Sequence, residues 1–199
     1  MKLWCFGDSN TYGYDPCGFF GGRYDAPWPE LLAEKTGFQV INDGKNGRMI
    51  PEREYEFVQF LRDAERQSAD VLIVMLGTND LLSMRHPDAA EVAEKMDNLI
   101  GSASEGLSAE ILLIAPPRIR FTDPSCTQPF VQGTETYERE CLEQSALLAR
   151  YYGEIAARRG AFYADASSWD LKLAFDGVHL SEEGNAVFAK ELEKVIRRI

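Results

Sequence analysis

The 199-residue chain is 45% apolar, enough for the core of one globular domain spanning residues 1–199. Its 32 acidic against 21 basic residues leave a net charge of −11 with no compensating block of Lys or Arg, which excludes a nucleic-acid partner. No stretch approaches the roughly 18 apolar residues of a membrane span, and the short apolar run after Lys2 is too brief for a signal peptide, so a cytoplasmic protein without a membrane partner is expected.

Lys2-Leu3-Trp4-Cys5-Phe6 reads as a short strand ending abruptly in Gly7-Asp8-Ser9, a polar turn that carries one serine. The connection from Gly7 to about Pro27 is long and rich in Gly and aromatic rings, and such loops usually serve function. A short helix over 29–35 is stopped by Gly37, a strand covers 38–42, and Asp43-Gly44-Lys45-Asn46-Gly47-Arg48 is a turn. Phe57, Phe60, Leu61 and Ala64 recur at helical spacing, with Pro51 suited to the first helical position and the end near Ser68.

Residues 70–76 are a continuous β-branched run of the kind buried on both faces of a parallel sheet, so this strand is central. It stops at Gly77-Thr78-Asn79-Asp80. Val92, Met96, Leu99 and Ile100 mark the next helix, and 111–115 the fourth strand. Residues 116–134, with Pro116, Pro117, Pro124 and Pro129, form a long loop. Cys141, Leu148, Tyr152, Ile155 and Ala156 stripe a long helix closed by Gly160, and 162–164 is a short fifth strand. The last loop contains Asp176-Gly177-Val178-His179, and Ser181 caps a final helix with Phe188, Leu192, Val195, Ile196 and Ile199 on its core face.

Strands alternating with helices predict an α/β fold: a three-layer α/β/α sandwich on a parallel five-stranded sheet. Cys5, Cys17, Cys126 and Cys141 have neither paired metal spacing nor the density of a disulfide scaffold and read as free thiols. With His86 and His179 the sole histidines, no metal site and no cofactor are expected.

In a parallel sheet the turns after the strands emerge along one edge, making Ser9, Gly47 and Asn79 neighbours and bringing Asp176 and His179 to the same rim. Taken singly, Ser9, Gly47 and Asn79 are more often ordinary turn residues, and His179 could cap or pack near the last helix. Jointly they supply nucleophile, base, orienting carboxylate and oxyanion donors for acyl transfer. Gly-x-Ser-x-Gly is absent, since Thr11 stands where the second glycine would be, which argues against an α/β-hydrolase lipase.

The four turns Gly7-Asp8-Ser9, Asn46-Gly47, Gly77-Thr78-Asn79-Asp80 and Asp176-Gly177-Val178-His179 together resemble the four blocks of the SGNH hydrolases, the GDSL esterase superfamily, with its flavodoxin-like sheet. The resemblance implies a serine esterase in which Ser9 attacks the ester carbonyl, His179 moves the proton and Asp176 orients the imidazole. Its oxyanion donors would be the Ser9 and Gly47 N–H groups and the Asn79 amide, glycine at 47 leaving room for close approach. Asn10 stands where the superfamily name has leucine and is expected to alter local packing at most.

Asp8 and Asp80 are read as carboxylates that hold their turns through backbone hydrogen bonds. Candidate pocket residues are Asp8, Tyr12, Tyr14, Trp28 and Arg48, in or beside the aromatic-rich first loop. Asn10-Thr11-Tyr12-Gly13-Tyr14, Arg23-Tyr24 and Trp28-Pro29 are also similar to the arylesterase and perhydrolase branch. That similarity implies a small-molecule ester substrate, acyl transfer to hydrogen peroxide beside hydrolysis, and a homo-oligomer for which loop 116–134 is the candidate interface. Two other readings stand beside it: a carbohydrate deacetylase, lysophospholipase or thioesterase of the same superfamily, and a non-catalytic flavodoxin-like binding module.

Overall fold

Val71-Leu72-Ile73-Val74-Met75 offers no polar residue to either face, a pattern usable only by a strand covered on both sides. In the computed structural model, which describes residues 1–18, 21–121 and 135–199, this run is the middle strand of a five-stranded sheet. In chain order the strands are β1 (Lys2–Gly7), β2 (Tyr14–Asp15), β3 (Gly22–Arg23), β4 (Gln39–Gly44), β5 (Val71–Met75), β6 (Glu110–Ala115) and β7 (Phe162–Asp165). The main sheet runs β4-β1-β5-β6-β7 with every neighbouring pair parallel. β2 and β3 form a separate antiparallel pair inside the first loop.

The helices are α1 (Ser9–Tyr12), α2 (Trp28–Thr36), α3 (Glu54–Gln67), α4 (Thr78–Ser83), α5 (Ala89–Gly106), α6 (Glu135–Arg159) and α7 (Glu182–Ile196). Alternation along the strands divides the core in two. Leu3, Cys5, Ile73, Met75, Leu112 and Ile114 face α2 and α7, where Trp28 packs on Phe188 with ring centroids 4.8 Å apart. Trp4, Phe6, Leu72, Val74 and Leu113 face α3, α5 and α6. Each fully buried aliphatic side chain contributes roughly 1.5–3 kcal/mol, so the all-buried β5 is the fold's main anchor. The expected three-layer α/β/α sandwich is the fold observed.

Strand order places a topological switch between β1 and β5: chain connections leave in opposite directions from that pair, opening a crevice at their C-terminal ends. Ser9 follows β1 and Asn79 follows β5, so the switch sets both at the crevice.

Three local expectations are corrected. The helix expected from Pro51 starts at Glu54, because Glu56 Oε2 accepts the N–H groups of Glu52 and Arg53, each at 2.9 Å, and so fixes the first turn. The polar turns at Ser9 and Asn79 are each wound into a short helix, α1 and α4. Of the expected loop 116–134, residues 122–134 lie outside the described residues, as do Cys126, Phe19 and Phe20. Cys5, Cys17 and Cys141 are free thiols. Among the described residues, no helix is long and apolar enough to cross a membrane.

Candidate active site

The serine is delivered by β1. Asp8 caps α1, its Oδ1 accepting the Asn10 N–H at 2.9 Å and its carbonyl accepting from Thr11 and Tyr12. Ser9 is therefore the first residue of α1, where helix geometry leaves an N–H without an intrahelical acceptor. A Cβ on Gly44 would stand 2.0 Å from the Tyr12 nitrogen, so a glycine at the end of β4 is what allows α1 to lie against it. Asp8 is 2% exposed, and burial pushes its carboxyl up to about 6 against the opposing pull of the Asn10 N–H, His179 and Arg48. It holds its turn through this cap, with its carboxyl buried.

The imidazole comes from the loop before α7. Leu173 and Leu180 bridge that loop, and Ala174 N–H donates to the His179 carbonyl at 2.7 Å. Asp176 Oδ1 accepts the N–H groups of Val178 and His179, both at 3.0 Å, while its Oδ2 lies 2.5 Å from His179 Nδ1. His179 Nε2 then lies 2.9 Å from Ser9 Oγ. Burial works against a charge on Asp176, but the bond to His179, the attraction of that ring and the two N–H groups outweigh it and hold the carboxyl below the usual range. The Tyr14 ring sits 4.7 Å from the imidazole at 55°, covering one side of it.

Asn10 does more than pack. Its Nδ2 donates to the Val178 carbonyl at 3.1 Å and its Oδ1 accepts the Leu180 N–H at 2.8 Å, which corrects the expectation of a purely local effect.

The third side is the turn after β4. Arg48 N–H closes on the Lys45 carbonyl at 3.1 Å, and Gly47 within that turn has φ +72°, a left-handed value that other residues adopt only under strain. A Cβ on Gly47 would meet no protein atom within 4 Å, so within the protein itself it is the backbone angle that calls for glycine here. Asn79 Nδ2 donates to the Arg48 carbonyl at 3.0 Å, which leaves the second N–H of the same amide for another acceptor. Asp80 accepts the Ile50 N–H at 3.2 and 3.3 Å, so α4 grips the segment 48–50 twice. Burial raises the Asp80 carboxyl to about 6. Tyr152 of α6 donates to the Leu76 carbonyl at 3.0 Å, fixing the exit of β5 just before α4.

The other pocket candidates fare unevenly. Trp28 has no exposed surface and belongs to the α2/α7 core: Pro27 and Pro29 start a helix at that point, which turns the ring inward. The Arg48 guanidinium is taken up by the Gly7 carbonyl at 2.9 Å, by Asp43 Oδ1 at 2.8 Å and the Asp43 carbonyl, and by the Phe6 ring 4.1 Å away, so it braces the turn instead of offering a free charge. Tyr12 is half-buried under the Arg23 guanidinium. Of the aromatic candidates, Tyr14 is the one that stands at the reacting groups.

Sequence reasoning missed a cleft of about 1090 Å³ that borders the site at Gly47, with Met49, Ile50, Tyr55, Val58 and Phe60 in its wall. Met49, Tyr55 and Val58 are exposed apolar side chains. The spacing of Tyr55 and Val58, three apart and off the stripe that buries Phe60 and Ala64, was the legible signal. Ser9 and His179 lie outside the wall of this cleft, which flanks the reacting groups on the Gly47 side.

A hydroxyl within hydrogen-bond reach of an imidazole, whose other nitrogen is held by a buried carboxylate, can be relieved of its proton as it attacks an electrophile. Among the described residues no cluster of three or more His, Cys, Asp or Glu side chains is placed to hold a metal ion.

The sequence profile of the GDSL-like Lipase/Acylhydrolase family matches residues 5–187. A carbohydrate acetylesterase family member from Sinorhizobium meliloti superposes with a TM-score of 0.82 at 26% identity, covering 100% of this chain and 98% of its own. The native aryl esterase of M. smegmatis gives a TM-score of 0.82 at 24% identity, over 99% of this chain and 98% of its own. Est24, a carbohydrate acetylesterase from Sinorhizobium meliloti, gives the same TM-score, identity and coverage. No curated protein sequence matches the chain.

Proposed function

Because the chain belongs to the GDSL-like lipase/acylhydrolase family and is an ester-hydrolysing enzyme, we propose that it cleaves small acyl esters through a Ser9-His179-Asp176 triad within one domain over residues 1–199. The observation that carries the reading is the continuous relay from Asp176 Oδ2 to His179 Nδ1 at 2.5 Å and from His179 Nε2 to Ser9 Oγ at 2.9 Å.

Ser9 Oγ attacks the ester carbonyl carbon as its proton passes to His179 Nε2, and Asp176 stabilises the imidazolium so formed. The carbonyl oxygen becomes an oxyanion held by the N–H groups of Ser9 and Gly47 and the spare N–H of the Asn79 amide. Collapse of the tetrahedral intermediate expels the alcohol, which takes its proton from His179 and leaves an acyl-serine. Water, deprotonated by His179, attacks the acyl-serine and restores the hydroxyl. Hydrogen peroxide in place of water at that step would give a peracid by the same route.

The open cleft beside Gly47 supports a substrate whose acyl group is small and whose remaining part extends along the wall of Met49, Tyr55 and Val58. Carbohydrate deacetylation is the second reading, favoured by the acetylesterase likeness at 26% identity and by the charged rim of Lys45, Glu54 and Arg62 on that cleft. A non-catalytic binding module leaves the relay without a use. The test is Ser9→Ala against an acetyl aryl ester and an acetylated sugar. Loss of hydrolysis to background supports the proposal, and retained turnover overturns it.

A further inference from the structure

We infer that Asn10 is a positioning residue whose side-chain amide sets the His179 imidazole against the Ser9 hydroxyl, an inference that rests on the hydrolytic reading above. Asn10 directly follows the nucleophile in α1 and is 4% exposed. Its Nδ2 donates to the Val178 carbonyl at 3.1 Å and its Oδ1 accepts from Leu180 N–H at 2.8 Å, so one amide spans the peptide groups on both sides of His179.

The other main-chain groups of this stretch find partners inside the loop itself. Val178 and His179 N–H go to Asp176 Oδ1, and the His179 carbonyl goes to Ala174 N–H. Those bonds give the loop its shape but say nothing of where it stands relative to α1. The two bonds from Asn10 do, and Asn10 is itself anchored by its N–H on Asp8 Oδ1.

The job demands a donor and an acceptor on one short, planar side chain. Leucine, the residue of the superfamily name, would offer a partner to neither the buried Leu180 N–H nor the part-buried Val178 carbonyl. An ionised aspartate could accept from Leu180 but would face the Val178 carbonyl with a second acceptor. Freed from the amide, the loop would still be held by the Arg120 N–H on the Gly177 carbonyl at 2.8 Å and by the Tyr14 ring against the imidazole, but its one remaining hydrogen bond to α1 would be that of His179 to Ser9, which the reaction must break. A displacement of about 1 Å in such a geometry costs on the order of 100-fold in rate.

The experiment compares Asn10→Ala, Asn10→Asp and Asn185→Ala for kcat and KM on an acetyl aryl ester, together with melting temperature and the NMR signal of the His179 Nδ1 proton. Asn185 is the control: it is equally buried and also bridges distant segments, accepting from Trp28 N–H and donating to the Ser181 carbonyl, and neither bond involves Ser9, Asp176 or a peptide group next to His179. Asn10→Ala is expected to lower kcat about 10- to 100-fold with KM within about threefold and to broaden or shift the imidazole proton signal. Asn185→Ala should lower the melting temperature while keeping kcat within about twofold. If Asn10→Ala does not fold, Asn10→Asp, which keeps the acceptor for Leu180, carries the same expectation. A folded Asn10 variant with wild-type kcat, or an equal loss of kcat in Asn185→Ala, overturns the inference. Turnover retained by Ser9→Ala would instead remove the hydrolytic reading, so the two failures are told apart.

Discussion

Around His179, every main-chain polar group from the Val178 N–H to the Leu180 N–H meets a partner, whereas a short distance along the same sheet edge Met49, Tyr55 and Val58 stand open to solvent beside the Gly47 turn. The first region is a fully connected polar network, which in a low-dielectric setting is rigid and tolerates no missing member. The second consists of exposed apolar surface at Met49 and on α3, a helix that buries only Phe60 and Ala64. The contrast separates two regions on one side of the molecule: around His179 the groups are preassembled by hydrogen bonds, and beside Gly47 the wall is exposed apolar surface.

That division can be broken most severely at the network. His179→Ala removes the proposed proton carrier, and hydrolysis of an acetyl aryl ester should fall by about 10⁴-fold or more, measured as kcat/KM. Asn79→Ala removes a proposed oxyanion donor and its grip on the Arg48 carbonyl. Its kcat should fall about 100- to 1,000-fold with a much smaller change in KM.

Buried charge gives a sharper but smaller signal. Burial holds the Asp8 carboxyl at about 6, above its value of 3.8 in an open chain, so the folded state keeps this proton more tightly than the unfolded state. Stability from this group is therefore complete below about pH 4 and lost as pH rises through 6. Asp8→Asn keeps the cap on the Asn10 N–H and abolishes that slope, so above pH 7 the variant should be more stable by up to roughly 3 kcal/mol in denaturant titrations. Asp176 runs the other way: its carboxyl is held below the usual range, so its contribution is present above about pH 4 and lost on further acidification.

The cleft should show the smallest effects. Tyr55→Ala and Met49→Ala should raise KM about three- to tenfold for esters with a long or bulky alcohol and leave kcat for a plain acetyl ester within about twofold. A large loss of kcat in either variant would erase the distinction between the two regions.

Much of the fold was legible because its strongest signals are local. The run from Val71 to Met75 can only be a strand buried on both faces, and a parallel sheet then brings the turns at Ser9, Gly47 and Asn79 to one rim. Asp176 and His179 were legible through their spacing, since three residues let the carboxylate turn back onto both the imidazole and its N–H. Trp28 was misplaced because an aromatic residue at the end of a Gly-rich stretch looks like a pocket wall, until Pro27 and Pro29 are seen to start the helix that buries it. The importance of Asn10 was hidden by distance: its partners lie 168 and 170 residues away and are peptide groups, which carry no mark of residue type. A second reason for glycine at 47 was not legible, because φ +72° follows from how the turn closes.

The central claim is that Ser9 is the nucleophile activated by His179, and reaction with a serine-directed fluorophosphonate followed by peptide mapping addresses it most directly. The account predicts one equivalent of label on Ser9, with labelling slowed by orders of magnitude in His179→Ala. Label on a different side chain, or none in an enzyme that still hydrolyses esters, would contradict it.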